Sequence, residues 1–204
     1  MDYDFLIIGG GIAGVSCAAR LSGAGRVLLL EAVPALAYHA SGRSAALYEP
    51  SYGLGPVVAL SMASARYFHS AKGVLSPRGM MIIAKAEDRA VFEADAAGMD
   101  LAPITLEAAR AIVPILNPDT VAHVALADHA WDIDTDLLLQ GFARQARAQG
   151  ANILTKAPVT AIARIGAGWR VETPQGNFGT RVLINASGAW ADVVAQMAGI
   201  TPLG

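Results

Sequence analysis

One cysteine, Cys17, occurs in 204 residues, which excludes an intramolecular disulfide and a cysteine-based metal cluster. Charge is equally scarce. Only 16% of residues are charged, the net charge is -2, and no run of Lys or Arg marks a nucleic-acid surface. With 54% apolar residues, that balance is the reverse of an intrinsically disordered chain. Long hydrophobic runs are missing too. The uncharged stretch from Phe5 to Ala19 falls short of the roughly 20 residues of a membrane span and contains Gly9-Gly10-Gly11. Asp2 and Asp4 stand where a secretory signal would carry Lys or Arg. His69, His123 and His129 show no ligand spacing. Asp128, Asp132, Asp134 and Asp136 lack the glycine and closing glutamate of a calcium loop. No metal, no nucleic acid and no transmembrane segment are therefore expected, in a reduced, cytoplasmic chain of one large or two small domains.

What is present is concentrated at the start. Phe5-Leu6-Ile7-Ile8 reads as a strand buried on both faces of a parallel sheet. It leads into Gly9-Gly10-Gly11-Ile12-Ala13-Gly14. Ile12, Val15, Ala18, Ala19 and Leu21 then recur at helical spacing, with Gly23 and Gly25 expected to close the helix. A second strand, Val27-Leu28-Leu29-Leu30, ends on Glu31. Glycines 9, 11 and 14 match G-x-G-x-x-G in a β-α-β unit. The first permits the tight turn, the second lets a pyrophosphate approach the helix N-terminus, and the third lets helix and strand pack closely. Glu31 can accept hydrogen bonds from ribose hydroxyls and would repel a 2′-phosphate. These residues predict a dinucleotide site and leave FAD and NAD open.

The remainder does not continue as a simple dehydrogenase domain. Residues 35–55 form a long irregular segment with the core Gly42-Arg43-Ser44-Ala45-Ala46, too apolar for a linker and suited to binding. Helices are predicted at 57–68, 87–97, from Thr105 to Pro114, from Asp134 or Thr135 to Gln149, and at 190–198. Strands are predicted at 79–85, 121–127 and 152–154. A small meander follows over 159–165, 169–173 and around Phe178, then a last buried strand at 181–185.

Taken in order, the glycine unit, the loop Tyr38-His39-Ala40-Ser41-Gly42-Arg43-Ser44-Ala45-Ala46 and the run Asn185-Ala186-Ser187-Gly188-Ala189-Trp190 resemble the FAD-dependent oxidoreductases of the D-amino acid oxidase family. Tyr48, Tyr52-Gly53, Leu75-Ser76-Pro77-Arg78 and Asp132-Ile133-Asp134-Thr135-Asp136 are similar to the bacterial D-arginine dehydrogenases within it. The fold so implied is α/β: a Rossmann-like FAD domain with a three-stranded β-meander over 1–45 and 145–204. Part of an α+β substrate domain would occupy 46–144. The resemblance covers this chain but only the N-terminal half of such an enzyme, so the isolated chain is expected to be inactive.

The resemblance also implies roles. Gly9, Gly11, Ala13 and Gly14 would face the pyrophosphate, and Glu31 with the Ala32 backbone would hold the adenosine ribose. Ala40, Ser41, Gly42, Arg43, Ser44, Ala45, Ala46 and Leu47 would wrap the pyrophosphate and flavin. Val159 would meet the adenine, and Ala186 and Gly188 the diphosphate. FAD is expected to be held noncovalently, with His39 packed beside it. No catalytic residue is assignable in this half. Leu47, Tyr52 and Met80 would line the substrate pocket, where the D-arginine enzymes carry a histidine, the lid tyrosine and a glutamate. Either Met80 or Gly79 takes the glutamate's place, and Glu49 could swing in to supply a carboxylate.

The activity so implied is oxidative deamination of a D-amino acid. Hydride passes from Cα to flavin N5, and the imine hydrolyses to a 2-oxo acid and ammonia. An apolar pocket implies a neutral substrate, since a buried cation without a carboxylate partner is costly. A quinone or oxygen would reoxidise the flavin. The alternatives are a secondary-amine oxidase acting on a sarcosine-, glycine- or proline-type substrate, and an inactive flavin-binding fragment.

Overall fold

The computed structural model describes residues 1–204. The chain begins with β1 (Tyr3–Ile8), α1 (Ile12–Leu21) and β2 (Val27–Leu30). It continues through β3 (Leu47–Tyr48), α2 (Gly55–Ser70), β4 (Leu75–Pro77), β5 (Met80–Ala84) and α3 (Arg89–Gly98). Next come β6 (Ala102–Pro103), α4 (Leu106–Ile112), β7 (His123–Ala127) and β8 (Trp131–Ile133). It closes with α5 (Thr135–Ala148), β9 (Asn152–Leu154), β10 (Ala161–Ile165), β11 (Gly168–Thr173), β12 (Gly176–Asn185) and α6 (Ala191–Met197). Two compact units result, Met1–Ser44 with Thr135–Gly204 and Ala45–Asp134. No helix is long and apolar enough to cross a membrane.

The first unit is built on one six-stranded sheet in the order β10-β11-β12-β1-β2-β9. The four strands from β12 to β9 are parallel, and β10, β11 and β12 form an antiparallel meander. Leu6, Ile7, Leu28, Leu29 and Leu30 are fully buried, as strands covered on both faces require. Each such side chain contributes roughly 1.5–3 kcal/mol. Leu6, Ile8, Leu28 and Leu30 pack with Ala157, Val171 and Val194. Strand alternation turns Ile7 and Leu29 to the other face, where α1 lies on β1 and β2 and α5 lies on α1.

Two sequence expectations are corrected here. The interdomain boundary expected between residues 144 and 145 falls inside α5, whereas the compact units divide between Asp134 and Thr135. The reason is the apolar face of α5, including Leu139, Ala143 and Ala146, which is wholly buried and holds the entire helix in the first unit. The strand around Phe178 and the strand at 181–185 are one element, β12. It pairs with β11 as far as Thr180 and with β1 from Thr180 onward. α1 ends at Leu21, just before Gly23 and Gly25 as expected, although neither glycine has positive φ. Gly25 is small for another reason: a Cβ there would lie 3.0 Å from Asp4 Cβ.

In the second unit, one three-stranded sheet runs β3-β8-β4 and another runs β5-β7-β6. Phe92 and Ala96 of α3 pack with Leu101 and with Ala125 and Ala127 of β7. Thr105 caps α4, its Oγ1 accepting the Ala108 amide at 3.1 Å, worth about 1 kcal/mol. By contrast, α2 contains no buried residue.

Candidate functional site

A cavity of about 760 Å³ opens at the C-terminal ends of β12, β1 and β2, entirely within the first unit. That is where open parallel sheets bind ligands, and the volume is typical of a cofactor site. Its walls are the turn after β1, the chain from Leu30 to Ser41, residues 157–159, and the segment from Ala186 into α6.

The turn is shaped by close backbone approaches. Gly9 has φ +114°, and a Cβ on it would collide with the Ala186 carbonyl. A Cβ on Gly14 would collide with the Gly9 carbonyl, so Gly14 is required beneath the turn and does not line the cavity. Gly11 differs: a Cβ there would meet only Ser41 Oγ, at 3.1 Å, in the cavity wall.

Glu31 ties the turn down. Its Oε2 accepts the Gly10 amide at 2.6 Å and its Oε1 accepts the Val33 amide at 3.0 Å. The residue is buried and lines the cavity, and each oxygen retains a lone pair for a ligand hydroxyl. The loop after β2 folds back over the same turn. The Ala37 amide donates to the Gly10 carbonyl at 3.0 Å. Ser41 Oγ accepts the Ile12 amide at 3.0 Å, satisfying a free amide of the first turn of α1. Its own hydroxyl hydrogen is then available to an anionic oxygen. Gly42 makes this possible, because a Cβ there would collide with the Ala37 carbonyl. An aromatic edge completes the wall, with the His39 and Trp190 rings 4.6 Å apart and Tyr38 edge-on to His39 at 5.1 Å. Arg43 Nε donates to the Tyr38 carbonyl at 3.1 Å.

Of the residues singled out from sequence, Gly9, Gly11, Ala13, Glu31 and Ala32 line the cavity, as do Ala40, Ser41, Val159, Ala186 and Gly188. Gly14 and Gly42 shape it from beneath, while Arg43 and Ser44 are not in its wall. Ala45, Ala46 and Leu47 belong to the second unit. Sequence reasoning missed Gly10, whose amide holds Glu31, and Val193 and Met197 of α6, which line the cavity. The apolar spacing of α6 immediately after Ala186–Trp190 was the available signal.

The three residues expected at a substrate pocket also lie in the second unit. Leu47 is half-buried and pairs with Asp132, and Tyr52 is 64% exposed. Met80 packs against the cluster of Phe92, Ala96 and Leu101, which is ordinary strand packing. Glu49 is not free to swing, because its side chain is buried against Ser51 and His129. Burial, and after it the Glu49 carboxylate, pushes the neighbouring Tyr48 phenol up, and its hydroxyl donates to the Ser61 carbonyl at 3.0 Å. Burial alone raises the Cys17 thiol, consistent with a packing role.

Residues 4–203 match the family model described as DAO, FAD dependent oxidoreductase. The chain is 29% identical over 210 residues to mitochondrial dimethylglycine dehydrogenase of Rattus norvegicus, covering 96% of this chain and 24% of that enzyme. Its fold resembles dithionite-reduced L-alpha-glycerophosphate oxidase of Mycoplasma pneumoniae with FAD bound. The TM-score is 0.85 at 22% identity, over 97% of this chain and 57% of that one. Glycine oxidase of Geobacillus kaustophilus gives a TM-score of 0.82 at 22% identity, over 97% of this chain and 58% of that one. The chain thus spans about a quarter of the rat enzyme's length and a little over half of these two solved chains.

Proposed function

The chain belongs to the DAO family of FAD dependent oxidoreductases, and on that premise we propose that it forms the cofactor-binding part of an enzyme oxidising the carbon–nitrogen bond of a neutral, apolar D-amino acid. The observation that carries the cofactor assignment is the Glu31 carboxylate bonded to the Gly10 amide. It joins the end of β2 to the glycine turn in the wall of a cavity large enough for a cofactor. Gly9, Gly11, Ala13, Ala186 and Gly188 put no side chain larger than a methyl on their part of that wall, as close passage of a diphosphate requires. FAD, when bound, supplies the two-electron acceptor.

In this reading each group of the chain has a defined task. Glu31 and the Ala32 backbone hold the adenosine ribose, and Val159 meets the adenine. Gly9, Gly11 and Ala13, with the first amides of α1, face the diphosphate. Ser41 stabilises that helix end through Ile12 and adds a hydroxyl donor, while Gly14 and Gly42 keep the two loops in contact. Arg43 braces the Tyr38 carbonyl and so stiffens the loop from outside. Ser44, Ala45, Ala46 and Leu47 continue the cofactor loop. FAD is held noncovalently, with His39 packed between the edge-on Tyr38 ring and the tilted Trp190 ring.

The amine reading draws support from relatives named for N-methylated amino acids, among them the rat enzyme, and the D-configuration only from the resemblance of the 38–46 loop to D-arginine dehydrogenases. The substrate is placed among neutral side chains because Leu47 supplies no charge and Glu49 is already engaged. Met80 and Gly79 supply no carboxylate either, and Tyr52 would be the lid. The acceptor is a quinone or oxygen, in a cytoplasmic setting. The test is anaerobic bleaching of the flavin absorbance of the purified holoenzyme by a panel of D- and L-amino acids, N-methyl amino acids and 2-hydroxy acids. Bleaching by D-leucine or D-methionine ahead of D-arginine is the expected result. Bleaching only by N-methyl glycines would establish the secondary-amine alternative, and bleaching only by hydroxy acids would overturn the amine reading altogether.

A further inference from the structure

Within the second unit, the chain leaves β3 at Glu49, just after the buried Tyr48, whose hydroxyl donates to the Ser61 carbonyl of α2. β3 makes only the pairs Leu47↔Asp132 and Tyr48↔Trp131. Beyond it, Tyr52 and Leu54 are 64% and 78% exposed, and α2 buries no side chain. The turn between them is nevertheless compact. The Tyr52 amide donates to the Glu49 carbonyl at 3.1 Å, and the Ser51 amide donates to Glu49 Oε1 at 2.9 Å.

The other carboxylate oxygen is the informative one. The Glu49 side chain is 1% exposed, and its Oε2 has no aligned hydrogen bond. A buried carboxylate oxygen in that state is costly unless a donor or a positive group lies beside it. His129 Nε2 is 3.2 Å away, and the same nitrogen is 3.2 Å from the Met99 carbonyl. Two acceptors facing one ring nitrogen assign a hydrogen to it, because a bare Nε2 would leave three lone pairs converging. The loop carrying His129 is itself anchored, since the Ala130 carbonyl accepts both the Arg78 and Gly79 amides at 3.1 Å.

We propose that Glu49 and His129, in contact at 3.2 Å through Oε2 and Nε2 while the Met99 carbonyl accepts the Nε2 hydrogen, form a latch that fixes the Glu49–Tyr52 turn to the loop between β7 and β8, making both of them positioning residues for Tyr52. The latch rests on this geometry alone. Its consequence for substrate handling rests on the role of Tyr52 given under the proposed function, so the latch is tested without turnover and can fail or stand separately from that role.

The experiment is limited chymotryptic cleavage of the full chain under native conditions, following the fragment that ends at Tyr52 by mass. Glu49→Gln places an amide N–H or a weaker acceptor against Nε2, and His129→Ala removes the donor. Each is expected to speed cleavage after Tyr52 about tenfold through local opening. The double variant should be no faster than either single one, because both break the same contact. His129→Gln, which keeps an N–H donor, should return within about twofold of the wild type. Cleavage after Phe92, buried in the same unit, reports unfolding of that unit and should not change. Unaltered cleavage at Tyr52 in Glu49→Gln, or effects that multiply in the double variant, would overturn the latch. Should the variants fail to fold, the wild type still decides. A ¹⁵N-histidine spectrum must show a hydrogen on His129 Nε2, and a bare Nε2 refutes the proposal.

Discussion

Glutamine is the closest isostere of glutamate, yet at position 31 it should be nearly as damaging as alanine. Both carboxylate oxygens of Glu31 accept backbone amides, from Gly10 at 2.6 Å and Val33 at 3.0 Å. A carboxamide has one accepting oxygen and one donating nitrogen. In Glu31→Gln one amide therefore keeps its partner while the other meets an N–H. Hydrogen bonds to a charged group contribute about 1.5–3 kcal/mol each, and a buried donor left without a partner costs about 1–3 kcal/mol. The expected loss is about 2–3 kcal/mol of unfolding free energy. Glu31→Ala loses both bonds but introduces no opposing donor and admits water from the cavity, giving about 2–4 kcal/mol. Against a total stability of roughly 5–15 kcal/mol, either is readily measured. Urea denaturation followed by circular dichroism would report it, with an unchanged m-value confirming that only stability has moved. If Glu31→Gln falls within about 0.5 kcal/mol of the wild type, the carboxylate does not hold the glycine turn and the account of the site fails at its centre.

Gly14→Ala should destabilise by about 3 kcal/mol or more and abolish FAD-induced stabilisation, since the new Cβ collides with the Gly9 carbonyl; a normal thermal shift with FAD would contradict this. Thr105→Ala should cost about 1 kcal/mol without affecting FAD binding, because it removes only the cap on α4; a matched pair of urea melts and flavin titrations separates the two effects. The Asp4 carboxyl is held below its ordinary value of 3.8 chiefly by the Arg26 amide. Its contribution is therefore present above that value and lost as pH falls through the lower folded value, so the stability gap between wild type and Asp4→Ala should close below about pH 4; a gap that widens in acid would reverse the argument. Tyr48 is raised above 10.0, mainly by burial, so its contribution persists up to pH 10 and declines as the phenol ionises. Tyr48→Phe should flatten part of the alkaline stability loss, and a phenolate absorbance step near pH 10 that is present in the folded wild type and missing from Tyr48→Phe would refute the shift.

Where burial is two-sided the residues announce themselves. Val27–Leu30 and the glycine spacing placed β1, α1 and β2 correctly, because an apolar run between turn residues has few alternatives. Thr105 and Gly150 marked helix ends for equally local reasons, the latter adopting φ +86° after α5. The strands that escaped notice are β3, β4, β6 and β8, two or three residues each, too short to show alternation. The strands expected around Phe178 and at 181–185 are continuous in β12, where the Gly179 amide is taken by Asp2 Oδ2, a partner that only the folded sheet supplies. The same distinction governs the site. The glycines and Glu31 were legible as a motif, whereas the capping of α1 by Ser41 joins residues 29 apart. Glu49 looked like a free loop carboxylate because its engagement with His129 depends on two separate turns meeting.

The position of β12 between the meander and β1 has a consequence for how the chain is made. β1 leaves the ribosome long before one of its two flanking strands: the contact between Asp2 and Gly179 spans 177 residues. The other neighbour, β2, arrives early, but its outer partner β9 does not follow until Ala45–Asp134 have been synthesised. The nascent first unit must therefore wait as an unsatisfied β-α-β fragment with apolar strand edges, while the inserted unit can form its own sheets. Closing loops of that length before their contacts repay the entropy makes for slow folding, and open edges in the interval favour association with other chains. Soluble yield should thus depend on elongation rate and on chaperone capacity more steeply than the stability of the finished fold would suggest.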